Sequence, residues 1–235
     1  MLPFDPYCGP APLPKDLWTT WNTDPVVIAT LLAAAAAVAF IKGPRLAWLG
    51  AVFVLALAFI SPLCALASAL FSARVLHHVL IVAVAAPLLV VGARLRTTHE
   101  GMAFLAHLGA IWLWHMPQPY AAALGSDALY WLMEVSLLGT GVWLWAAMLA
   151  PGRGGRGIIL SLATLLQMGL LGALLTFASR PLFAAHASTT QAFGLTPLED
   201  QQLAGLLMWA PAALPYIGFA LHSLFANIFP QREAA

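Results

Sequence analysis

Long apolar runs separated by short polar breaks dominate the chain, and seven runs can be distinguished. They cover residues 26–41, 46–63, 75–93, 101–114, 128–149, 157–178 and 203–228. A helix that crosses the hydrocarbon core of a bilayer needs roughly 20 apolar residues at about 1.5 Å of rise each. The runs do not alternate in polarity as barrel strands do, and backbone in lipid must satisfy its own hydrogen bonds. The pattern therefore predicts an all-α bundle of seven membrane-spanning helices.

The polar segments around these runs predict the domain organisation. Residues 1–24 contain five prolines before any apolar run, which predicts an extended or turned tail. Residues 25–229 form the predicted membrane domain, and residues 230–235 form a short C-terminal tail. Asp24 followed by Pro25 predicts an N-cap and the first helical residue of the first span.

The composition supports an integral membrane protein. Of 235 residues, 62% are hydrophobic and 8% are charged, whereas a soluble domain has roughly 25% charged residues. The mean hydropathy is +0.88. The lipid bilayer is thus the predicted surroundings of most of the chain, and a net charge of +1 gives no indication of a nucleic-acid partner.

The distribution of basic residues predicts the orientation, because cytoplasmic loops are enriched in lysine and arginine. The first, third and fifth loops and the C-terminal tail hold Lys42, Arg45, Arg94, Arg96, Arg153, Arg156 and Arg232. The other side holds Lys15, Arg74 and Arg180. The N-terminus is therefore predicted outside and the C-terminus in the cytoplasm.

Soft and ionisable side chains collect toward the predicted outer ends of the helices. They are Cys8, Cys64, His77, His78, His115, Met116, Met133, Glu134, His186 and Met208. Thiolate, thioether and imidazole groups together favour Cu(I). Each residue also has a simpler interpretation: the methionines and Cys64 as packing residues, and Glu134 as a protonated or hydrogen-bonded carboxyl inside the bundle.

The third run begins next to three ionisable residues, Arg74, His77 and His78. Adjacent helical residues point about 100° apart, so at most one of the two histidines is expected to face a given partner. Ionisable groups at a membrane boundary are costly unless they line a cavity, pair with a partner or hold an ion. One interpretation is that Arg74 extends to the headgroups and both histidines lie unliganded in the interface. The other is that Arg74 pairs with Glu134 or Asp127.

Several segments resemble one family of membrane proteins. The stretches YCGPAPLPKDLWTTWNTDP, FSARVLHHVLIVAVAAPLLVVG, LWHMP and GLTPLEDQQLAGLLMW are similar to those of the CtaG family of multi-span cytochrome c oxidase assembly factors. The resemblance implies a multi-pass protein of the bacterial cytoplasmic (inner) membrane. It also implies a role in maturing haem-copper oxidases by handling copper.

The family motifs are only partly retained. Where many members read HMxxH, this chain has Arg74 in the first histidine position and keeps His78. Where many read HxLEH, it keeps Glu134 but has Trp131 and Val135 instead of histidines. The histidine of LWH is His115. The resemblance thus implies a sparse metal site of His78, His115 and Glu134, supplemented by Cys8, Cys64 or Met208, with His77 as a neighbour.

The leading prediction is a non-enzymatic assembly factor that holds Cu(I) transiently near the outer face. It would deliver the ion to the catalytic subunit of cytochrome c oxidase and receive it from a periplasmic copper chaperone. Two alternatives stay open at this point. One is a metal-free membrane scaffold for a respiratory complex. The other is a haem-binding protein that uses His78 and His115 as axial ligands.

Overall fold

The computed structural model describes residues 6–151 and 154–228, and within these ranges the chain is helical without a strand. Apart from short 3-10 helices, ten helices follow one another in these two described ranges: α1 Pro25–Ala36, α2 Arg45–Phe59, α3 Pro62–Ala69, α4 Phe71–Ala93, α5 Glu100–Trp114, α6 Pro117–Leu124, α7 Asp127–Met148, α8 Gly154–Thr176, α9 Pro197–Trp209 and α10 Ala213–Ile228. Arg153, Arg232 and the tail 230–235 lie outside the described residues.

Four of the apolar stretches are long enough to cross a membrane: Phe71–Ala93, Asp127–Met148, Gly155–Thr176 and Pro197–Ile228. Helices α2 and α3 meet at a bend of 47° and count as a fifth span if they are taken together. The stretch Pro25–Phe40 is apolar but shorter. The described residues therefore confirm an all-helical fold with four to five helices long and apolar enough to cross a membrane, while the count of seven stays a prediction.

Local sequence signals set two of the helix starts, and the first of them is the predicted N-cap Asp24. The Asp24 carboxylate accepts a hydrogen bond from the Val26 amide at 2.7 Å and caps α1. Thr196 and Glu199 form a reciprocal capping box at the start of α9, in which each side chain accepts from the other residue's backbone amide.

Helix α4 differs from the third apolar run in two ways. It starts at Phe71, four residues before the run, so Arg74 lies inside the helix instead of in a loop. Arg74 is fully buried, which removes it from the basic residues assigned to the predicted outer side. Residues Leu80–Ala85 form a π-helical segment immediately after the histidine pair, and such segments occur frequently at functional sites.

Helices α8 and α9 approach closely because glycines meet at their contact. A Cβ atom added to Gly205 would lie 2.6 Å from the carbonyl oxygen of Gly172, a distance that real Cβ atoms do not reach. Small residues allow such close packing between membrane helices. This contact holds α9 beside the rest of the bundle, and α9 also packs against α4.

The N-terminal segment 6–24, called the strap below, lies across one end of the bundle. A disulfide joins Cys8 to Cys64 in α3. The Asn22 amide donates to the Phe59 carbonyl at 3.1 Å, and the Asn22 backbone amide donates to Ile60 at 2.9 Å. This end of the bundle, called the strap end, also carries the loops before α4, α7 and α9.

The strap is further held by a hydrogen bond from the Tyr7 hydroxyl to the Asp24 carboxylate. Burial and this bond raise the pKa of Tyr7 to about 12, and the bond lowers the pKa of Asp24. The stabilisation from Tyr7 is thus complete below pH 10, the ordinary tyrosine value, and is lost as the pH rises through about 12. The stabilisation from Asp24 is present above its ordinary pKa of about 4 and is lost in acid.

An alkaline titration of phenolate absorbance tests this arrangement. The phenolate absorbance of the wild type minus that of the Tyr7→Phe variant is expected to show one tyrosine that ionises near pH 12. A synthetic peptide of residues 1–24 contains Tyr7 as its single tyrosine, which is expected to ionise near pH 10. A difference spectrum with its midpoint near pH 10 in the whole protein would show that Tyr7 is not docked.

Candidate metal centre

The core of the candidate site is a group of three buried side chains, His77 and His78 from α4 and Glu134 from α7. Glu134 Oε1 lies 3.6 Å from His77 Nδ1 and 3.4 Å from His78 Nε2. One ligand atom from each residue lies within 4.8 Å of the other two. Two imidazoles and one carboxylate at this spacing can converge on a single cation, and this trio is called the cluster below.

Both adjacent histidines reach the same carboxylate oxygen, so the prediction that at most one would face a given partner is wrong. The planes of the two imidazoles are tilted by 58° to each other, yet each ring has a nitrogen within 4 Å of Glu134 Oε1. The rings are 5.9 Å apart between centroids. His77 is therefore a full member of the cluster and not only a neighbour of His78.

Arg74 shares this carboxylate with the histidines. Its Nη1 atom lies 3.2 Å from Glu134 Oε1, and both side chains are almost fully buried, with 0% and 1% exposed. The guanidinium carbon also lies 5.2 Å from the ring centroid of Tyr130. Glu134 is thus the partner of Arg74, as predicted, and the guanidinium occupies the neighbourhood in which a bound cation would be stabilised.

His115 from the end of α5 lies next to the cluster. Its ring meets the ring of His78 edge to face, with 5.5 Å between centroids. Its Nδ1 atom lies 2.7 Å from the Ile111 carbonyl, which acts as an acceptor if Nδ1 carries the proton. His115 Nε2 is then free as a ligand, and it has no hydrogen-bond partner among the described residues.

Buried polar atoms without partners are costly, and the site contains several. Glu134 Oε2, His77 Nδ1 and His78 Nε2 have none among the described residues, in addition to His115 Nε2. An ion at this position would give such atoms a partner. The donor set is imidazole and carboxylate without a thiolate, which suits several transition metals and is less soft than the sequence suggests.

Three of the predicted supplementary ligands lie outside the cluster. Cys8 and Cys64 form a disulfide, so neither offers a thiolate in this state, and the prediction that they add soft ligands is corrected for the oxidised protein. Met208 is buried in the apolar core on α9. The oxidised protein therefore offers no cysteine thiolate to the cluster.

The alternative of haem held between His78 and His115 fits the structure poorly. Two axial imidazoles must lie on opposite faces of a porphyrin. The two rings instead meet edge to face at 5.5 Å, and both residues are buried with 3% and 4% of their surface exposed. This packing leaves no slot between the rings for a macrocycle.

Two further histidines form separate polar contacts. His107 Nδ1 lies 3.0 Å from the Thr140 hydroxyl. His186, in the loop before α9, lies 2.6 Å from the Tyr120 hydroxyl, and burial lowers its pKa to about 4. The Phe71 ring lies between this pair and His115. Sequence reasoning placed His186 at the same end of the bundle but could not assign its partner.

Asp200 fixes the start of the helix that carries the cluster. Its carboxylate accepts hydrogen bonds from the backbone amides of Phe71 at 2.7 Å and Ser72 at 3.1 Å, and from the Ser72 hydroxyl. It therefore caps α4 from α9, across 129 residues of sequence. The next residue, Gln201, accepts a hydrogen bond from the Leu182 amide at 2.6 Å and donates to the Leu175 carbonyl.

Replacing Asp200 by alanine is expected to destabilise the protein by about 1–3 kcal/mol, because two buried amides lose their acceptor. The Asp200→Asn variant keeps one acceptor oxygen and should therefore lose less stability than Asp200→Ala. Glu199→Gln is the matched control next to it, since glutamine also completes a capping box. Unfolding in detergent measures the stability of all three variants. An Asp200→Ala protein as stable as the Glu199→Gln protein would contradict the capping role of Asp200.

A comparison with protein families gives one match. A family described as cytochrome c oxidase caa3 assembly factor (Caa3_CtaG) matches residues 26–102 and 94–228. These matches include every member of the cluster, and together they extend over most of the chain. No curated protein and no solved structure matches it.

Proposed function

The chain belongs to the cytochrome c oxidase caa3 assembly factor family, and from this we propose that it carries copper to the oxidase. One Cu(I) ion is held transiently by His77, His78 and Glu134, with His115 as a fourth ligand, and passes to the catalytic subunit. The single observation behind this proposal is the convergence of two imidazoles and one carboxylate within 4.8 Å. The protein performs no catalysis of its own.

Arg74 explains why such a site would release its ion. A guanidinium 3.2 Å from Glu134 Oε1 repels a second cation and neutralises the same carboxylate. The ion is then bound by exchangeable imidazoles in competition with a tethered cation. Weak, reversible binding suits a carrier, whereas a permanent site requires a fuller set of supported ligands.

The proposed setting is the bacterial inner membrane, with seven passes and the strap end outside. The described basic residues support this orientation once Arg74 is set aside as buried. The opposite end carries five, Lys42, Arg45, Arg94, Arg96 and Arg156, and the strap end carries two, Lys15 and Arg180. A disulfide in the strap also suits an oxidising compartment. A periplasmic copper chaperone would supply the ion on this side.

Complementation tests this function: cells whose chromosomal copy of the gene is deleted are supplied with wild-type or variant copies. His78→Ala and His115→Ala should lower the copper content of the purified oxidase, whereas His222→Ala, near the other end of the bundle, should not. Unchanged copper content in both site variants, with the oxidase fully assembled, would contradict copper delivery.

A metal-free scaffold is the second candidate, and the Arg74–Glu134 ion pair is the observation that favours it. The pair already neutralises the buried carboxylate, so the bundle does not need a metal ion for charge balance. A scaffold predicts that the protein still co-purifies with the oxidase and supports its assembly after His77, His78 and His115 are replaced together.

A further inference from the structure

The two sulfur atoms of the Cys8–Cys64 disulfide each face a hydrogen-bond donor from another part of the chain. The Tyr130 hydroxyl on α7 donates to Cys8 Sγ at 3.5 Å. The Asn22 side-chain amide donates to Cys64 Sγ at 4.0 Å. A donor next to a sulfur stabilises the thiolate that forms on reduction more than it stabilises the neutral disulfide, because hydrogen bonds to charged acceptors are stronger. Both sulfurs are therefore placed to exist as thiolates as well as in the disulfide.

The two cysteines differ in their positions. Cys64 lies in the first turn of α3, two residues after the proline that starts the helix. The amide groups at a helix start favour a negative charge, and cysteines there form thiolates more readily. Cys64 is fully buried, whereas Cys8 is 9% exposed and is followed in the strap by the exposed Pro10. An attacking thiolate therefore reaches Cys8, and Cys64 is the leaving group.

One aromatic ring separates the disulfide from the cluster. The ring of Tyr130, whose hydroxyl contacts Cys8 Sγ, lies 5.2 Å from the guanidinium carbon of Arg74. Arg74 Nη1 in turn lies 3.2 Å from Glu134 Oε1. An ion released from the two sulfurs thus starts next to the residues that surround the cluster.

We propose that the reduced thiols of Cys8 and Cys64 form a second Cu(I) site, which receives the ion at the strap end before it reaches the cluster. This inference rests on the proposed copper transfer. Thiolates are the soft ligands that select Cu(I), and the cluster itself offers only imidazoles and a carboxylate. The disulfide decides whether this site exists, so the redox state of the strap controls loading.

A dithiol protein on the same side of the membrane opens the site by thiol–disulfide exchange. Its thiolate attacks Cys8 Sγ, the S–S bond breaks, and Cys64 leaves as a thiolate. The second thiol of the reductant then displaces Cys8, so the reductant becomes a disulfide and passes two electrons and two protons to this chain. Cu(I) displaces those protons into water when it binds, and copper stays Cu(I).

The reverse exchange empties the site. A disulfide protein accepts the two electrons, and the Cys8–Cys64 bond closes. Closure removes both sulfur ligands, and the ion moves to His77, His78 and Glu134 by ligand exchange.

A Cu(I) titration of three forms of the full-length protein tests the dithiol site. They are oxidised wild type, wild type reduced with dithiothreitol that is then removed without oxygen, and the Cys8→Ser, Cys64→Ser double variant treated in the same way. The double variant is the matched control, because it also lacks the disulfide and differs from reduced wild type only by two oxygens in place of two sulfurs. Maleimide labelling of the folded protein counts the thiols before each titration.

Reduced wild type should expose two thiols and bind two equivalents of Cu(I), whereas the other two forms should bind one. X-ray absorption at the copper edge should show copper bound by two sulfurs in the second equivalent alone. Failure of dithiothreitol to free two thiols, or equal binding by reduced wild type and the double variant, would overturn the dithiol site. Binding of one equivalent by reduced wild type and none by the other two forms would support the dithiol site and overturn the proposed function of the cluster.

Discussion

Replacing Arg74 by methionine is expected to destabilise the bundle by about 3–5 kcal/mol, the effect of leaving a buried charge without its partner. Arg74 and Glu134 are 0% and 1% exposed, so water cannot solvate the remaining carboxylate. Arg156→Met is the matched control, because Arg156 pairs with Glu100 at 3.6 Å but is 69% exposed. The Arg156→Met variant should lose less than about 1 kcal/mol of unfolding free energy. Reversible unfolding in mixed detergent micelles measures both.

The double variant Arg74→Met, Glu134→Gln separates charge from packing. It should recover much of the lost stability, because it removes both buried charges. Cu(I) should also stabilise the Arg74→Met protein more than wild type, since the ion then has no tethered competitor. An Arg74→Met protein as stable as Arg156→Met, or a double variant no better than the single one, would contradict the central role of this ion pair.

Loss of the disulfide is expected to have the second large effect. Cys8 and Cys64 are 56 residues apart, and the chain-entropy relation gives about 4 kcal/mol for a closed loop of that length. The Cys8→Ser, Cys64→Ser double variant should lose about that amount of stability in detergent. A reductant should destabilise wild type to the same level and leave the double variant unchanged.

The strap provides a further check on this prediction. Without the disulfide, the strap is held on the bundle by noncovalent contacts alone, such as those of Tyr7, Ala11 and Asn22, so proteases should cut it more readily. Equal stability and equal strap proteolysis with and without the disulfide would show that the strap does not depend on the covalent link.

Most helix positions could be predicted from the sequence, because long apolar runs bounded by charged or proline residues leave few alternatives in a membrane. The run 128–149, for example, corresponds to helix Asp127–Met148. The Arg74–Glu134 pair was predicted only in part, because the sequence offers either Glu134 or Asp127 as the partner of Arg74. The third run was placed too late because Arg74 looks like a boundary residue in sequence, although it is buried through its pair.

The remaining features depend on contacts between distant segments, which a single sequence does not reveal. Asp200 looks like a residue of the first turn of its own helix, yet it caps α4. Two cysteines in a tail and a helix could equally be free thiols. The joint approach of His77 and His78 to Glu134 depends on where α7 crosses α4, and periodicity along α4 cannot determine that.

A Cu(I) titration of the purified, oxidised protein tests the central claim most directly. A chromophoric Cu(I) chelator competes with wild type, His78→Ala and His115→Ala, with His222→Ala as the control. We expect wild type and the control to bind one equivalent, and the two site variants to bind at least about tenfold more weakly. Binding of no Cu(I) by wild type, or equal binding by all four proteins, would contradict a copper site at His77, His78 and Glu134.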